Sequence, residues 1–433
     1  MRTTRSTPRR GRLLALVAVA SLALAGCTDG GGQDGADRTT TVEPTDRIEV
    51  FTWWASGSEK RGLDAVVEVF AERHPDVAFV NGAVAGGAGT AAKDLLRSRL
   101  DAQDPPDTFQ AHAGAELTDY IDAGRLEDVS DLYDELDLHE AFPPDLVDRL
   151  TVDGGIYSVP SNIHRANVVW ANPDVLEAAG LDPDATYASV DDWVVALRAV
   201  EATGATPLSL ATTWTQVHLL ETVLLADLGP AAYTGLWDGS TDWSGPEVRA
   251  ALEDFETLLG LTNPDRDQLD WPDATQRVID GQAAFNVMGD WAVAAFEDAG
   301  REVGTDVVHF PVPGTDGVFD FLADSFTLPV GAPNPEGARA WLETVASAEG
   351  QTAFSRAKGS IPARSDADPA DFGPYQRSAM ASFREDVLVS SLTHGAAAPV
   401  ATLDAVSAAV RSFTTGVTDL AAFQAELAAA AAR

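Results

Sequence analysis

Strand-like and helix-like segments alternate near the start of the predicted folded region, and this alternation constrains the fold more than any other feature. Short apolar runs bounded by turn residues predict strands, and apolar residues recurring every three or four positions predict helices. The predicted strands are residues 48–52, 77–80 and 108–111, and the predicted helices are residues 60–73 and 90–100, the second capped by Thr90. A β-α-β-α-β order indicates a parallel sheet flanked by helices, so the expected fold class is α/β.

Aromatic and polar residues follow each of these predicted strands. Trp53 and Trp54 follow the first strand, the glycine loop 86–89 follows the second, and Gln110 and His112 lie at the end of the third. Because ligands of open α/β sheets bind at the carboxyl ends of the strands, we expect these residues to converge at one edge of the sheet.

The length and charge of the chain limit its organisation and its partners. A chain of 433 residues exceeds what one hydrophobic core usually supports, so two or more lobes are expected. Residues 167–297 look mostly helical, and strand-like breaks near residues 160–166, 311–315 and 357–361 are candidate connections between lobes. The formal net charge of −38 argues strongly against nucleic acid, whose phosphates require Lys and Arg. It also disfavours binding of anionic lipid by the protein surface, so a membrane anchor would have to be covalent.

The N-terminus has the pattern of a bacterial export signal. Five arginines precede an apolar run at residues 13–25, and the sequence LAGC, residues 24–27, resembles a bacterial lipobox. This predicts a signal peptide at residues 1–27 with Cys27 as the lipidation site, the alternative being a plain secretory signal. The general secretory route and the twin-arginine route both stay open. Cys27 is the only cysteine, which excludes an intramolecular disulfide, and the Gly-, Thr- and Asp-rich residues 28–46 predict a flexible tether.

Two adjacent tryptophans, Trp53 and Trp54, are the first candidate ligand contacts. Neighbouring side chains of a strand point to opposite faces, so one ring should pack into the lobe while the other lines a cleft. An aromatic ring can cover the apolar face of a sugar, and a stacked contact contributes about 1 kcal/mol. Taken alone, such a pair is more often structural than ligand-binding.

Six polar residues form the second candidate set. Asp324 lies within an apolar strand, residues 321–326, where a carboxylate is costly unless it has a partner or a ligand. The other members lie in loops or near strand ends, and each can also be read as an ordinary turn or surface residue: Glu59, Gln110, His112, Lys358 and His394. Charged groups that hydrogen-bond sugar hydroxyls would give stereochemical selection.

Motifs for cofactor, metal and hydrolase chemistry are incomplete in this chain. Residues 86–93 lack the Gly-Lys-Ser/Thr ending of a phosphate loop, and residues 265–276 lack the glycine and glutamate of a calcium loop. The seven histidines show no metal-ligand spacing, and no Gly-x-Ser-x-Gly sequence occurs. The sequence therefore predicts no cofactor and no metal.

The ordered set of segments resembles the extracellular solute-binding proteins of bacterial ABC sugar importers, in the maltose-binding superfamily, and most closely their glucose- and galactose-binding members. The resemblance covers nearly all of residues 47–433. The segments that carry it are residues 51–54, 86–89, 104–114, 159–165, 214–216, 284–291, 323–326, 358–361 and 394–396.

The resemblance implies which residues line a sugar site. By position they are Trp53, Trp54, Glu59, Gln110, His112, Trp291, Asp324, Lys358 and His394, with Trp291 facing the sugar from the other lobe. The stretch from Trp54 to Glu59 is about one residue longer than in close relatives. Gln110 stands where some relatives carry lysine, a change that could alter which sugars are accepted.

The resemblance also implies a fold and a mode of action. It implies a two-lobed periplasmic-binding-protein (Venus-flytrap) fold with discontinuous lobes joined by three crossovers. The N-terminal lobe would comprise residues 47–165 and 314–358, and the C-terminal lobe residues 166–313 and 359–433. A monomer, anchored by lipid to the outer face of the bacterial cell membrane, would close on a monosaccharide and deliver it to the permease subunits of an ABC importer.

Two other interpretations stay open at this stage. One is a secreted glycosidase, although carboxylates are too numerous for a catalytic pair to be chosen from sequence. The other is a receptor of the same fold for a disaccharide or an amino-sugar, because the sequence does not give the size of the site.

Overall fold

The computed structural model describes residues 46–85 and 89–432, so the predicted leader and tether lie almost entirely outside the described residues. The strands are β1 (Asp46–Phe51), β2 (Val77–Asn81), β3 (Thr108–His112), β4 (Thr151–Val152), β5 (Gly155–Ile156), β6 (Val159–Arg165), β7 (Val168–Ala171), β8 (Thr206–Ser209), β9 (Ala283–Val287), β10 (Val308–Pro311), β11 (Val318–Thr327) and β12 (Val387–Ser390).

Helices alternate with these strands along most of the chain. They are α1 (Gly57–Arg73), α2 (Thr90–Asp101), α3 (Thr118–Asp122), α4 (Ser130–Glu135), α5 (Leu138–Ala141), α6 (Pro144–Leu150), α7 (Pro173–Ala178), α8 (Val190–Glu201), α9 (Thr213–Asp238), α10 (Pro246–Leu259), α11 (Trp271–Ile279), α12 (Val293–Asp298), α13 (Pro335–Ala346), α14 (Ala348–Lys358), α15 (Pro374–Glu385), α16 (Val400–Thr414) and α17 (Leu420–Ala431). Helix α9 is broken at Gly229, which precedes Pro230.

The first sheet contains the three strands predicted near the start of the chain. β1 pairs in parallel with β2 and with β3, as a β-α-β-α-β order requires. The long strand β11 pairs antiparallel with β3 and β6 and parallel with β12. The predicted α/β class is confirmed, and β11 lies between the two strands that position the candidate site.

A second sheet, in the order β10-β7-β9-β8, forms the other lobe. Three of its strands lie within residues 167–297, which the sequence analysis read as mostly helical. The strands β7, β8 and β9 are only four or five residues long and fully or largely buried. Periodicity cannot distinguish such short apolar runs from segments of a buried helix, so the helical reading missed them.

Two connections join the strands of the two sheets. Ala166 and Asn167 join β6 to β7, and residues 312–317 join β10 to β11. The side chain of Asn167 ties these two connections together, because its Nδ2 donates to the backbone oxygen of Val318 (2.9 Å) and to Thr315 Oγ1 (2.8 Å).

The third connection lies further along the chain than the boundary expected at residues 358/359. Ile361 exchanges backbone hydrogen bonds with Ile163 of β6, and β12 pairs with β11. The segment after Lys358 therefore packs against the first sheet before the chain crosses at residues 391–399 to α16. The apolar run of β12 accounts for this, because pairing with the exposed edge of β11 satisfies its backbone groups.

Buried aromatic rings fill the core of the first lobe. Phe70 of α1 and Phe326 of β11 both pack against Trp341 of α13, with ring centroids 5.5 Å and 5.4 Å apart. Truncating such a ring to alanine typically costs about 3–5 kcal/mol, so this packing fixes the sheet on which the candidate site is built.

Within residues 46–85 and 89–432, no helix has both the length and the apolar character needed to cross a bilayer.

Candidate functional site

A cavity of about 400 Å³ of empty volume lies between the two lobes. The first lobe contributes Trp53, Trp54, Glu59, His112, His164, Leu322, Asp324 and Lys358, whereas the second lobe and the third connection contribute Trp214, Trp271, Trp291 and His394. Eight of the nine residues expected to contact a ligand line this cavity, and the ninth, Gln110, does not.

Asp324 occupies the centre of the first-lobe wall because of strand register. On β11 it lies opposite His112 of β3 on one side and Asn162 of β6 on the other. Its side chain is almost fully buried, at 4% exposure. Gln110 Nε2 donates to one carboxylate oxygen (2.9 Å) and Asn162 Nδ2 donates to the other (3.1 Å). Each oxygen keeps lone pairs that a ligand hydroxyl could use.

Gln110 supports Asp324 from behind. Its Oε1 accepts a hydrogen bond from Thr52 Oγ1 and a longer one from the backbone N–H of Trp53 (3.3 Å). Since its Nε2 is directed at Asp324, the amide links the end of β1 to β11 and holds the carboxylate in place. The structure thus gives Gln110 a positioning contact where a ligand contact was expected.

Two histidines flank Asp324, and each is held by a second carboxylate. His112 Nδ1 lies 2.8 Å from Glu116 Oε2, and Lys93 Nζ lies 2.7 Å from the same oxygen. Burial alone would raise the pKa of Glu116, but the charges and hydrogen bonds of Lys93 and His112 outweigh it and lower that pKa to about 2. Glu116 is therefore a permanent anion that orients the imidazole of His112.

His164 is the second of these histidines, and sequence reasoning did not single it out. Its Nδ1 contacts the carboxylate of Asp290, which belongs to the second lobe, and its Nε2 lies 3.6 Å from Asp324 Oδ2. The other Asp290 oxygen accepts a hydrogen bond from the backbone N–H of Arg165 (3.1 Å). Each lobe therefore contributes to the orientation of His164.

Glu59 and Lys358 form the charged corner of the cavity, with Lys358 Nζ 3.8 Å from Glu59 Oε1. Burial lowers the pKa of Lys358 and raises the pKa of Glu59, while the mutual attraction of the two charges partly opposes both shifts. Lys358 ends α14, where a cation is favoured by the helix dipole. Gly359 follows with φ of +89°, and a Cβ there would lie 2.9 Å from Val293 Cβ, so only glycine permits this close approach of the second lobe.

The adjacent tryptophans divide their roles as the strand geometry suggested. Trp54 is 1% exposed and packs against Phe354 (4.5 Å) and Phe326 (5.6 Å) in the first core. Trp53 is 7% exposed and packs beside His112 at 5.0 Å. Both rings reach the cavity, but Trp54 also supports the lobe from within.

The second lobe covers the cavity with three more indole rings. Trp291 meets His164 edge-to-face at 5.4 Å and His394 at 5.0 Å. Trp214 stacks nearly parallel to His218, with an interplanar angle of 11°. Trp214 and Trp271 were missed as site residues. They lie in the first turns of α9 and α11. Trp214 also follows β8. The expectation that ligands bind at the carboxyl ends of strands would therefore have found Trp214 if β8 had been predicted.

His394 closes the cavity from the third connection. Its Nδ1 lies 2.8 Å from Ser391 Oγ. Burial lowers the pKa of His394 well below its ordinary value, and the neighbouring His218, His112 and Lys93 lower it further, so the ring is neutral.

Within the part of the chain that the structure describes, no group of three His, Cys, Asp or Glu side chains has the arrangement to hold a metal ion.

These features define a class of protein: an α/β receptor of two lobes with a ligand cavity between them. The sequence profile of the bacterial extracellular solute-binding proteins matches residues 54–352. The chain is also 33% identical over 402 residues to an uncharacterised ABC transporter extracellular-binding protein of Pyrococcus horikoshii, PH1214, covering 91% of this chain and 90% of that protein. The chain belongs to the bacterial extracellular solute-binding protein family.

Two further comparisons come from proteins with described ligands. The xylose/arabinose-binding protein XacG of Haloferax volcanii is 29% identical over 93% of each chain. The solved structure of the bacterial solute receptor AcbH, described as exclusive for galactopyranose, superposes with a TM-score of 0.77 at 17% identity, covering 89% of this chain and 98% of AcbH. The likeness to AcbH shows the two-lobed fold. Because the chain belongs to a family of solute-binding proteins, it is a binding protein and not the glycosidase considered above.

Proposed function

We propose that this solute-binding protein captures one monosaccharide ring of the glucose, galactose or mannose type and delivers it to an ABC importer. The observation that carries the proposal is the buried Asp324 carboxylate, held by Gln110 and Asn162 with lone pairs left for ligand hydroxyls, beside indole rings from both lobes. This combination suits a sugar ring, which is polar at its edge and apolar on one face. The printed names of XacG, of AcbH and of the glucose-binding protein GlcS of Saccharolobus solfataricus support the sugar class.

The size of the cavity favours a single sugar ring. Five indole rings line the cavity, and they leave about 400 Å³ of empty space among them, open solvent at its mouth included. A disaccharide would have to extend beyond these walls.

Closure of the lobes would couple sugar binding to transport. Arg61 of α1 pairs with Asp298 at the end of α12, so an ion pair spans the two lobes. A sugar that touches both lobes binds the closed form better and shifts the population toward it. Moving a population from mostly open to mostly closed requires about 5.5 kcal/mol of differential affinity. Permease subunits would then recognise the closed form.

Calorimetric titration tests the sugar proposal. The chain lacking residues 1–27 is unfolded, freed of co-purified ligand, refolded and titrated with glucose, galactose, mannose, xylose, maltose and glucosamine. Micromolar or tighter binding of one of the first three is expected, with weak binding of maltose and glucosamine. Tighter binding of maltose or glucosamine would replace the monosaccharide by a disaccharide or an amino-sugar, and no binding across the panel would reject the proposed ligand class.

We further propose that Cys27 carries the lipid that anchors the monomeric protein to the outer face of the cell membrane. The support is the LAGC sequence after an arginine-flanked apolar run. Metabolic labelling with an alkyne fatty acid should label the wild-type protein, whereas Cys27→Ser should lose the label and leave the membrane fraction. An unlabelled wild-type protein would reject the lipid anchor and favour a plain secretory signal.

A further inference from the structure

We propose that Glu221, a residue outside the cavity, fixes the tautomer of His394 through Ser391, so that His394 offers its Nε2 to the ligand as a hydrogen-bond acceptor. Glu221 is then a positioning residue, and the hydroxyl that meets His394 must be a donor. The proposal deepens the proposed function, because it concerns how the same cavity selects its sugar.

Three donors converge on the carboxylate of Glu221, which is fully buried in α9. Ser391 Oγ donates to one oxygen (2.7 Å), while the backbone N–H of Thr393 (2.6 Å) and Thr393 Oγ1 (2.8 Å) donate to the other. A buried carboxylate is costly without such partners. Glu221 therefore fixes the direction of every hydrogen bond it receives, because an ionised carboxylate can only accept.

Asp320, a second buried carboxyl group beside Glu221, shows which of the two carries the charge. No donor reaches either Asp320 side-chain oxygen within the described residues. Burial and the nearby Glu221 raise the pKa of Asp320 well above its ordinary value, although Arg165 partly opposes the shift. Glu221 has three donors and Asp320 has none, so the geometry assigns the proton to Asp320 and the negative charge to Glu221.

The single proton of the Ser391 hydroxyl decides the tautomer of His394. That proton is directed at Glu221, so the 2.8 Å contact between Ser391 Oγ and His394 Nδ1 requires the N–H of Nδ1 to donate. A neutral imidazole protonated at Nδ1 is unprotonated at Nε2. Since Nδ1 faces Ser391, Nε2 is the nitrogen left for the ligand, and it can only accept.

This arrangement predicts a rule of selectivity at one position of the sugar. The hydroxyl beside His394 must donate its proton to Nε2. A fluorine at that position keeps the size and polarity of the substituent but cannot donate. A fluorine at a position that donates to Asp324 should also weaken binding. The fluorinated monosaccharide that reports on His394, in the series substituted at carbons 2, 3, 4 and 6, is therefore the one whose loss of at least tenfold in affinity disappears in Glu221→Gln.

Glu221→Gln should reverse the direction of the hydrogen bonds from His394 to Ser391 and from Ser391 to residue 221, while it keeps a side chain of the same size at residue 221. The backbone N–H of Thr393 can only donate, so the new amide must keep its oxygen there and turn its NH₂ toward Ser391. Ser391 Oγ then accepts from that NH₂ and donates to His394 Nδ1, which moves the His394 proton to Nε2. Nitrogen-15 NMR of histidine-labelled protein, with the resonance assigned by its absence from His394→Asn, should show the Nδ1 and Nε2 shifts exchanged.

Tyr233→Phe is the matched control, because the Tyr233 hydroxyl contacts the backbone of Ser390 and Leu392 on the same segment but not His394. It should leave the tautomer unchanged. In Ser391→Ala, the second test variant, His394 should populate both tautomers. An unchanged tautomer in both Glu221→Gln and Ser391→Ala would overturn the proposal.

Sugar binding supplies the second readout. In wild-type protein one fluorinated sugar should lose at least tenfold relative to its parent, and in Glu221→Gln the same pair should differ by less than twofold. Equal discrimination in both proteins would contradict the role of Glu221 in selectivity. If no sugar binds the wild-type protein, the proposed function fails. The NMR result still tests whether Glu221 fixes the tautomer of His394, because the tautomer is measured without ligand.

Discussion

The two walls of the cavity differ in the chemistry they present. All the ionic side chains that line the cavity, Glu59, Asp324 and Lys358, belong to the first-lobe wall, which also carries His112 and His164. The wall from the second lobe and third connection consists of three indole rings and the neutral His394. On the first wall, His112, His164 and Asp324 lie on paired strands. The three rings of the second wall lie near helix starts.

This difference indicates a division of labour. Strands of a six-stranded sheet fix the positions of Asp324 and its neighbours, so the first lobe can select the stereochemistry of hydroxyls before the cavity closes. Aromatic contact depends on area and tolerates small displacements. The second lobe is thus suited to cover a ligand that is already oriented. Substitutions of Asp324, Trp291 and Arg61 test this division, in order of decreasing expected effect on affinity, and Asp320→Asn tests the strand that carries Asp324.

Asp324→Asn should abolish most of the selective binding by the first wall. An amide in place of the carboxylate must turn its NH₂ toward either Gln110 or Asn162, both of which donate to Asp324 now. Removing one partner of a buried charged hydrogen-bond set costs about 3 kcal/mol, or roughly a hundredfold in affinity. Calorimetry should show this loss in a variant that is still folded at the temperature of the titration. The exposed Asp76→Asn is the matched control, and an affinity within twofold of wild type for Asp324→Asn would remove Asp324 from the site.

Asp320→Asn tests a second buried acid on the same strand, four residues earlier, that has no donor in the described structure. Its folded-state pKa lies well above its ordinary value. The protonated carboxyl therefore contributes stability below about pH 4, and this contribution is lost as the pH rises toward the folded-state pKa. Asparagine does not titrate, so the variant should gain on wild type by up to about 1.4 kcal/mol per pH unit above pH 4. Urea unfolding at pH 5, 6 and 7 measures the difference, and a gap independent of pH would show that Asp320 is ionised in the folded protein.

The parts of the site that sequence analysis found lie at the ends of strands with clear local patterns. Trp53 follows β1, His112 ends β3 and Asp324 lies within β11, and each could be placed from residues nearby in the chain. The role of Gln110 was not predictable in this way, because it depends on the register between β3 and β11. His164 was missed because its partner Asp290 is 126 residues away and belongs to the other lobe.

The strands of the second sheet and the third connection show the same limit. β8 and β9 are too short for their period to be read, so Trp214 could not be placed at the end of a strand. The crossing at residues 391–399 follows from the pairing of β12 with β11, a contact between segments far apart in sequence. Local pattern therefore predicted the elements of the first lobe, and only tertiary pairing determined how the second wall meets it.

Trp291→Ala tests the aromatic wall. The ring contacts His164 and His394 edge-to-face, and its loss removes a face that would cover the sugar. The expected cost is about 1.5 kcal/mol, or roughly tenfold in affinity, smaller than for Asp324 and similar for every sugar that binds. Trp291→Phe should recover part of the affinity because an aromatic face remains. If Trp291→Ala changed the ranking of glucose, galactose and mannose, the second wall would also select stereochemistry, contrary to the proposed division.

Arg61→Ala should have the smallest effect, because its ion pair with Asp298 joins the lobes at the surface and leaves the two side chains 43% and 50% exposed. Exposed ion pairs contribute less than about 1 kcal/mol and are screened by salt. Affinity should therefore fall by less than about fivefold at low ionic strength, and the difference should vanish near 0.5 M salt. Lys60→Ala is the matched control, since Lys60 forms an exposed pair with Asp64 within the same helix, α1, and does not reach the second lobe. A large loss of affinity that persisted in high salt would mean that closure depends on this ion pair more than on the ligand. The second wall would then close without waiting for the first wall to orient a sugar, contrary to the proposed division.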